Sequence, residues 1–293
     1  MMLAPALLAG RDRYQREMRG VVDNLHDDAL THTVRLTDDD RALEAIVVAL
    51  PPPVYAIREA RLTPLAGRLA PSVVEGFARL AGVAMVAGLT RRAVEALGHG
   101  DGAPLAVEAI IEVARLARQV TKLPRAEGAR AVAGALACWE LDTRGWPELP
   151  DSCFTYSAAG RTLLDTRTVA VAAGPDLYSP RPGQRAVFER TKRARLERDG
   201  GRLRLFHAMH DNVHGFELTL EIDTATGTVV RAEHVTPRLP YMGVCSEPQR
   251  RFASLVGQTA DAGLRRHIQK ALGGAGGCAQ LYDLTSDALK LLA

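Results

Sequence analysis

Apolar and polar residues alternate through much of the second half of the chain, and this pattern predicts strands. From Phe216 to Ile222 every second residue is apolar, which is the period of a strand with one buried face. The turn sequence Asp199-Gly200-Gly201 joins two further alternating segments, as expected of a hairpin. The predicted strands of this half are 187–196, 202–209, 216–222 and 229–235.

Beyond Pro248 the apolar residues recur at helical spacing instead. One helix is predicted from Pro248 to Leu272, where Gly273-Gly274 resembles a C-cap, and another from Ala279 to Leu292. Strands followed by helices indicate an α+β fold, in which two or three helices pack on one face of an antiparallel sheet. The elements predicted in the first half and after it are a strand over 30–36, helices over 71–97, 105–120 and 126–141, and a β-prone segment over 153–173.

Segments of the first half resemble segments of the second, which indicates an internal duplication. The offset between partners grows from about 173 to about 188, which predicts an insertion of about 15 residues in the loop-like stretch 37–53. We therefore predict two repeated α+β units related by a pseudo-dyad: 1–150 as a scaffold and 151–293 as the unit that bears the site. The matching segments are Ile57–Pro64 with Val230–Pro237, Phe77–Gly82 with Phe252–Gly257, and Asp23–His26 with Asp211–His214.

Composition narrows the class of protein. The 37 Lys and Arg residues nearly balance the 34 Asp and Glu residues, so the formal charge of +3 does not favour a nucleic-acid partner. No apolar run approaches the roughly 20 residues of a bilayer-spanning helix, so no membrane partner is expected. The four cysteines form no Cys-x-x-Cys pair, which disfavours a zinc ribbon or a disulfide framework. We expect a cytoplasmic protein.

Three histidines and an aspartate fall within residues 207–214, between two predicted strands. His210 and His214 would lie on one side of an extended chain and could converge on a metal, whereas His207 points to the other side. A carboxylate beside a histidine also orients an imidazole for acid–base catalysis, with His214 or His210 as the base and Asp211 as its partner. A third interpretation is that these residues only cap a turn.

Three further residues are candidates for a site. Arg231 lies on a predicted strand, where it could clamp a substrate carboxylate or pair with a neighbouring glutamate. Tyr241 and Cys278 are candidate proton donors, and Cys278 could equally be a nucleophile or a packed core residue. At the repeat offset the first half has Ala66 and Ala103 in their place, so we expect any chemistry in the second half.

The run from about Asp211 to Leu292 resembles a bacterial family known as the domain of unknown function two-eight-eight-nine. The family usually has a histidine two places after the last cysteine, where this chain has Gln280, so no role for that histidine carries over. The resemblance implies a companion of catabolic operons for aromatic and acyl compounds, and therefore a small-molecule role without an established reaction. The duplicated form differs from the commoner single copy. The residues that carry the resemblance are His214, Arg231, Glu233, Pro240, Gly243-Val244-Cys245, Gly263, Arg265-Arg266, Leu272-Gly273-Gly274 and Gly277-Cys278.

These observations lead to one functional prediction and two alternatives. The prediction is an enzyme without an organic cofactor that acts on a small aromatic or carboxylated metabolite by His/Asp proton transfer, as a lyase or an isomerase. Retro-aldol release of formaldehyde is one instance, and it needs a base near a hydroxyl and a donor for the developing oxyanion. The alternatives are a non-enzymatic ligand-binding or accessory protein and a metal-dependent hydrolase. A homodimer is left open. The predicted roles are His214 or His210 as base, Asp211 as its orienting partner, Arg231 as anchor, and Tyr241 or Cys278 as donor.

Overall fold

The computed structural model describes residues 5–292, and ten strands form its two sheets. The strands are β1 (Arg13–Asn24), β2 (Leu30–Asp38), β3 (Ala42–Ala49), β4 (Ile57–Ala66), β5 (Ala170–Val171), β6 (Gln184–Asp199), β7 (Arg202–Asp211), β8 (Gly215–Asp223), β9 (Val229–Arg238) and β10 (Tyr241–Met242). Eight of them form one antiparallel sheet in the order β4-β3-β2-β1-β6-β7-β8-β9, and β5 pairs with β10. The coarse prediction of a mixed fold of helices and antiparallel strands is confirmed.

Helices cover one face of the large sheet, as its alternating burial requires. The α-helices are α1 (Pro71–Ala78), α2 (Leu89–Leu97), α3 (Ala103–Ala117), α4 (Arg125–Gly128), α5 (Ala135–Gly145), α6 (Ala158–Thr166), α7 (Ala262–Leu272) and α8 (Ala279–Leu289). Short 3-10 helices span Ala6–Leu8, Ala129–Ala133, Phe154–Tyr156, Pro175–Leu177, Pro248–Leu255, Gly274–Gly276 and Lys290–Leu292. Helix α3 packs on β1, β2 and β3, and α8 packs on β7 and β8.

Strands β1 and β6 meet at the centre of the sheet, where Gly20 lies opposite Arg190. Helix α3 lies directly above this point, since a Cβ atom added to Gly20 would lie 2.6 Å from Cδ1 of Leu116. Glycine therefore permits the close approach of helix and sheet. The stretch 118–183, which we call the connecting segment, leads from α3 to β6 and carries α4, α5, α6 and β5.

A buried ionic cluster joins α3, β6 and α8 on the helical side of the sheet. Lys192 on β6 lies 2.7 Å from Glu112 on α3 and 3.5 Å from Asp287 on α8, measured between Nζ and the carboxylate oxygens. Arg115 contacts both carboxylates at 2.5 Å. Because each buried charge has an opposite partner, the cluster ties helices α3 and α8 to the sheet without leaving an isolated charge.

Several local predictions need correction. The stretch 37–53 was expected to be an inserted loop, but it contains β3, which completes the pairing between β2 and β4. The matching segments Asp23–His26 and Asp211–His214 begin at the ends of β1 and β7. Because β1 is the first strand of its four-stranded part of the sheet and β7 is the second strand of the other part, this match does not mark equivalent positions. The segment 153–173 is mostly helical rather than extended.

Three predicted helices are interrupted, and the one expected over 126–141 divides into α4, a 3-10 helix and α5, with Gly134 at φ 114° before α5. The helix expected over 71–97 breaks between α1 and α2, where Gly82 and Gly88 adopt positive φ angles of 86° and 82°. The helix expected over 248–272 is a 3-10 helix followed by α7, with Gly257 at φ 85° between them. A residue with positive φ cannot continue a right-handed helix. The helix is therefore interrupted at these turns, although the apolar residues keep their helical spacing on both sides of each turn.

Within residues 5–292, no helix combines the length and the apolar character needed to cross a bilayer.

Candidate functional site

A partly open cavity of about 150 Å³ lies between the connecting segment and the end of the sheet formed by β7 and β8. A cavity of this size in a protein core is large enough for a benzene ring. Most of its wall is apolar or aromatic, and a few polar groups converge on it, which is the usual character of a small-molecule site. The lining residues that matter below are Arg118, Asp142, Trp146, Cys153, Tyr156, Tyr178, His214, Phe216, Tyr241, Cys245 and Cys278.

The turn from β7 to β8 places His214 in the cavity wall. Strand β7 ends at Asp211, whose Oδ1 atom accepts hydrogen bonds from the backbone amides of Val213 at 2.8 Å and His214 at 2.6 Å. This is the side-chain-to-backbone turn that aspartate favours. The same Oδ1 lies 3.1 Å from Nδ1 of His214. The local sequence therefore fixes both the backbone and the imidazole.

Arg190 holds Asp211 from the neighbouring strand. The two residues lie opposite each other in the β6–β7 register, and both side chains have no solvent exposure. The Oδ2 atom of Asp211 lies 2.9 Å from Nε and 2.7 Å from Nη2 of Arg190. Burial alone would raise the pKa of Asp211, but the neighbouring His214 ring, the charge of Arg190 and the hydrogen bonds to Oδ1 hold this pKa well below its usual range. Asp211 is therefore a carboxylate.

The imidazole of His214 has one nitrogen committed and one free. With Nδ1 facing the Asp211 carboxylate, Nε2 has no hydrogen-bond partner among the described residues. The ring lies against Phe216, with centroids 6.2 Å apart and planes 26° from parallel. An imidazole that donates from Nδ1 to a carboxylate presents an unprotonated Nε2, which can accept a proton from a bound molecule.

On another wall of the same cavity, three tyrosines surround one buried carboxylate. Asp142 on α5 accepts hydrogen bonds from Tyr156 at 2.8 Å, from Tyr178 at 2.8 Å and from Tyr241. Burial raises the pKa of Asp142 from 3.8 to about 6, and the three hydroxyl donors offset only part of that effect. Burial also raises the pKa of Tyr241 and of its two neighbours, so these hydroxyls keep their protons. We call Asp142 and the three tyrosines the tyrosine–aspartate cluster.

We expect Asp142→Asn to change how stability depends on pH. The folded-state pKa of about 6 lies above the ordinary 3.8, so Asp142 favours the folded state at low pH, and this contribution is lost as the pH rises from about 4 through 6. The difference corresponds to about 3 kcal/mol. The free energy of unfolding of the wild type should therefore fall relative to that of Asp142→Asn between pH 4 and 7.

Denaturant unfolding at several pH values measures this difference. The exposed Asp151, in the same connecting segment, supplies the matched control Asp151→Asn, which should follow the wild type. A difference between wild type and Asp142→Asn that stays constant across this range would show that the buried carboxylate has no unusual affinity for protons.

Three cysteines of the wall stay protonated. Burial raises the pKa of Cys278 to about 11 and raises that of Cys153 and Cys245 as well. A hydroxyl–thiol contact of 2.9 Å joins Thr155 to Cys245. Since the thiolate is the reactive form, these thiols contribute shape and weak hydrogen bonds rather than a nucleophile.

The structure gathers four of the six predicted residues at this site. His214, Tyr241 and Cys278 line the cavity, and Asp211 lies directly behind His214.

The other two predicted residues lie elsewhere, on the solvent side of the sheet. The Nε2 atom of His210 lies 3.3 Å from Glu217, and Arg231 pairs with Glu221 and Glu233 at 3.1 and 2.7 Å. The side chains of His210 and Arg231 are 41% and 48% exposed. Neither is retained as a site residue.

The three histidines of 207–214 do not meet. His207 is buried on the helical side, where its Nδ1 lies 2.9 Å from the carbonyl oxygen of Leu284, and burial lowers its pKa to about 4. His210 and His214 were expected to share a face, but the turn after Asp211 separates them. Among the described residues, no three His, Cys, Asp or Glu side chains are arranged to hold a metal ion.

Several cavity residues were not identified from the sequence. Asp142, Trp146, Tyr156 and Tyr178 belong to the connecting segment, which carries no motif and was assigned no chemistry. Arg190 lies on the strand predicted over 187–196, and no role was predicted for it. Its position opposite Asp211 follows from the register of β6 and β7, and alternation along β6 could have shown that it faces inward.

Comparison with known proteins adds one finding. No curated protein and no solved structure matches the chain. One family model matches the part of the chain that runs from β6 to α8. This part includes Arg190, Asp211, His214 and Tyr241 but not Asp142. Residues 187–292 are similar to the family described as "Protein of unknown function (DUF2889)".

Proposed function

We propose that the protein is an enzyme without an organic cofactor that acts on a small aromatic metabolite by proton transfer, as a lyase or an isomerase. One observation carries the proposal. A carboxylate-oriented imidazole and a cluster of protonated hydroxyls around a buried carboxyl group line the same partly open, mostly apolar cavity. A base and a proton donor that face one site are what such a reaction requires.

The arrangement suits cleavage of a carbon–carbon bond next to a hydroxymethyl group. Nε2 of His214 takes the hydroxyl proton, the oxygen forms a carbonyl, and the bond to the neighbouring carbon breaks, so that formaldehyde leaves. The electron pair moves to the oxygen of a conjugated carbonyl group, which takes a proton from Tyr241 and so gives an enol. The proton on His214 then returns through solvent to the tyrosine–aspartate cluster. Nothing is oxidised or reduced overall, so the step needs no redox partner.

The role proposed for each residue depends on whether it would touch the reacting atoms or act through another residue. His214 and Tyr241 would touch the reacting atoms. Asp211 and Arg190 act through His214 and are positioning residues, and Asp142 maintains the proton on the tyrosines. The proposal does not depend on His210 or Arg231.

Tyr241→Phe tests the donor role. Incubation with aromatic compounds that carry a hydroxymethyl group on the carbon next to a conjugated carbonyl should release formaldehyde, which a colorimetric assay quantifies. We expect Tyr241→Phe to lower kcat by about 10²-fold, the usual effect of removing one oxyanion donor. Tyr282→Phe, which changes a tyrosine that is not part of the cavity wall, should leave kcat unchanged.

Two results would overturn the proposal. Equal rates for wild type and Tyr241→Phe would remove the donor. Saturable binding of these compounds without any product, neither formaldehyde nor an isomer, would favour a ligand-binding or accessory protein.

We also propose that the two four-stranded parts of the sheet descend from one duplicated unit. The strand order, β4 to β1 followed by β6 to β9, supports this, and the segments at offsets of about 173 and 175 fall on elements of the same rank. In this view the connecting segment, which supplies half of the cavity wall, was added to one unit and made it the site-bearing half.

A further inference from the structure

Arg118 brings a positive charge to the cavity from outside the matched region. It follows α3 directly and lines the cavity, and its side chain is 37% exposed, which places it where the cavity meets solvent. No other lysine or arginine lines the cavity among the described residues. Arg118 is therefore the cationic side chain that a group bound in the cavity meets, among the described residues.

The guanidinium is held in a fixed orientation. Its Nη1 donates to the carbonyl oxygen of Ala114 and its Nη2 to that of Met85, both at 3.0 Å. The central carbon of the guanidinium, Cζ, lies 5.0 Å from the centroid of the Tyr55 ring, within the range of a cation–π contact. An oriented guanidinium loses little freedom when it binds a planar anion.

Arg118 keeps N–H donors free beside its acidic neighbour Glu148. The Nε atom of Arg118 lies 3.8 Å from the Glu148 carboxylate, beyond hydrogen-bonding distance. That carboxylate instead accepts a hydrogen bond from the hydroxyl group of Tyr55. A guanidinium has five N–H donors, of which two are used here. The other acidic residues at the site are already balanced: Asp211 pairs with Arg190, and Asp142 is surrounded by hydroxyl donors.

We propose that Arg118 binds a carboxylate of the ligand, so that the cavity takes aromatic carboxylates of about the size of benzoate. The inference deepens the proposed function and rests on its assignment of the cavity as the substrate site. The remaining N–H groups would contact the carboxylate while the ring occupies the apolar wall. Arg118 thus takes the anchoring role that the sequence suggested for Arg231.

Ligand binding without turnover tests this inference, with benzoate and benzamide as probes that differ in charge but little in shape. Calorimetric titration should show that the wild type binds benzoate more tightly than benzamide. Arg118→Met should weaken benzoate binding by roughly 10- to 100-fold and leave benzamide binding unchanged, since charge-assisted hydrogen bonds to the carboxylate are lost. Arg118→Lys should give an intermediate result for benzoate.

Two control variants separate charge recognition from structure. Arg79→Met changes another arginine that donates to a backbone carbonyl, but one outside the cavity wall, and should bind both probes as the wild type does. Glu148→Gln removes the competing carboxylate and should strengthen benzoate binding about two- to fivefold, with no change for benzamide.

The outcomes distinguish this inference from the proposed function. Equal weakening of both probes by Arg118→Met, or no effect on either, would overturn the anchoring role. Charge-selective binding together with an absence of any turnover would support the inference and count against the proposed enzyme.

Discussion

His214→Ala is expected to reduce kcat/KM by about 10²- to 10⁴-fold, the range in which a positioned general base contributes. Replacing the imidazole removes the free Nε2 but leaves the Asp211 turn intact, because that turn is made by the carboxylate and backbone amides. The variant should therefore fold and bind ligands. We expect the loss to appear mainly in kcat, measured as formaldehyde release or isomer formation.

His210 supplies the matched control. It lies four residues earlier, is half exposed on the solvent side of the sheet, and contacts Glu217 rather than the cavity. His210→Ala should keep full activity. If the two variants were equally active, or if His210→Ala were the inactive one, His214 would not be the base.

Arg190→Met is expected to lower the free energy of unfolding by about 3–5 kcal/mol, since it leaves the Asp211 carboxylate buried without its cation. The depressed pKa of Asp211 means that the pair stabilises the fold at pH values above the ordinary 3.8, and that this stabilisation is lost as the pH falls toward the folded-state pKa. The destabilisation should therefore be full at pH 7 and should shrink on acidification. Denaturant unfolding of wild type and Arg190→Met at pH 7 and at a pH below 3.8 measures the difference.

Two further variants isolate the buried pair. Arg193→Met changes a neighbour on the solvent side of β6, where the arginine pairs with Glu17 and is 60% exposed, and should cost less than about 1 kcal/mol. The double variant Arg190→Met with Asp211→Asn should recover part of the loss, because neither buried charge remains unpaired. Equal effects for Arg190→Met and Arg193→Met would show that the buried pair has no special contribution.

Alternation along the strands and the helical spacing after them were enough to predict the fold class. Phe216 to Ile222 form a half-buried strand because every second side chain meets the helical layer. The joining of all these strands into one sheet was not predicted, since the β1–β6 pairing links residues about 170 positions apart and leaves no local signal. Helix ends at Gly82 and Gly257 were missed because the apolar spacing continues through them.

One part of the candidate site could likewise be predicted from local sequence, and the other part could not. Asp211 and His214 lie three residues apart, and an aspartate at that spacing forms a turn that brings its carboxylate to the imidazole, so local sequence was sufficient. Asp142 reaches Tyr241 across 99 positions, and only the tertiary fold of the connecting segment brings them together. A lone aspartate in a helix and scattered tyrosines carry no pattern that predicts such a cluster.

A crystal structure of the wild-type protein with an aromatic carboxylate bound is the most direct test of the claim that chemistry takes place in this cavity. The account predicts the aromatic ring inside the cavity, in contact with both His214 and Tyr241, and the carboxylate at Arg118. Ligand bound only on the outer face of the sheet near Arg231, or an empty cavity at saturating ligand, would contradict it.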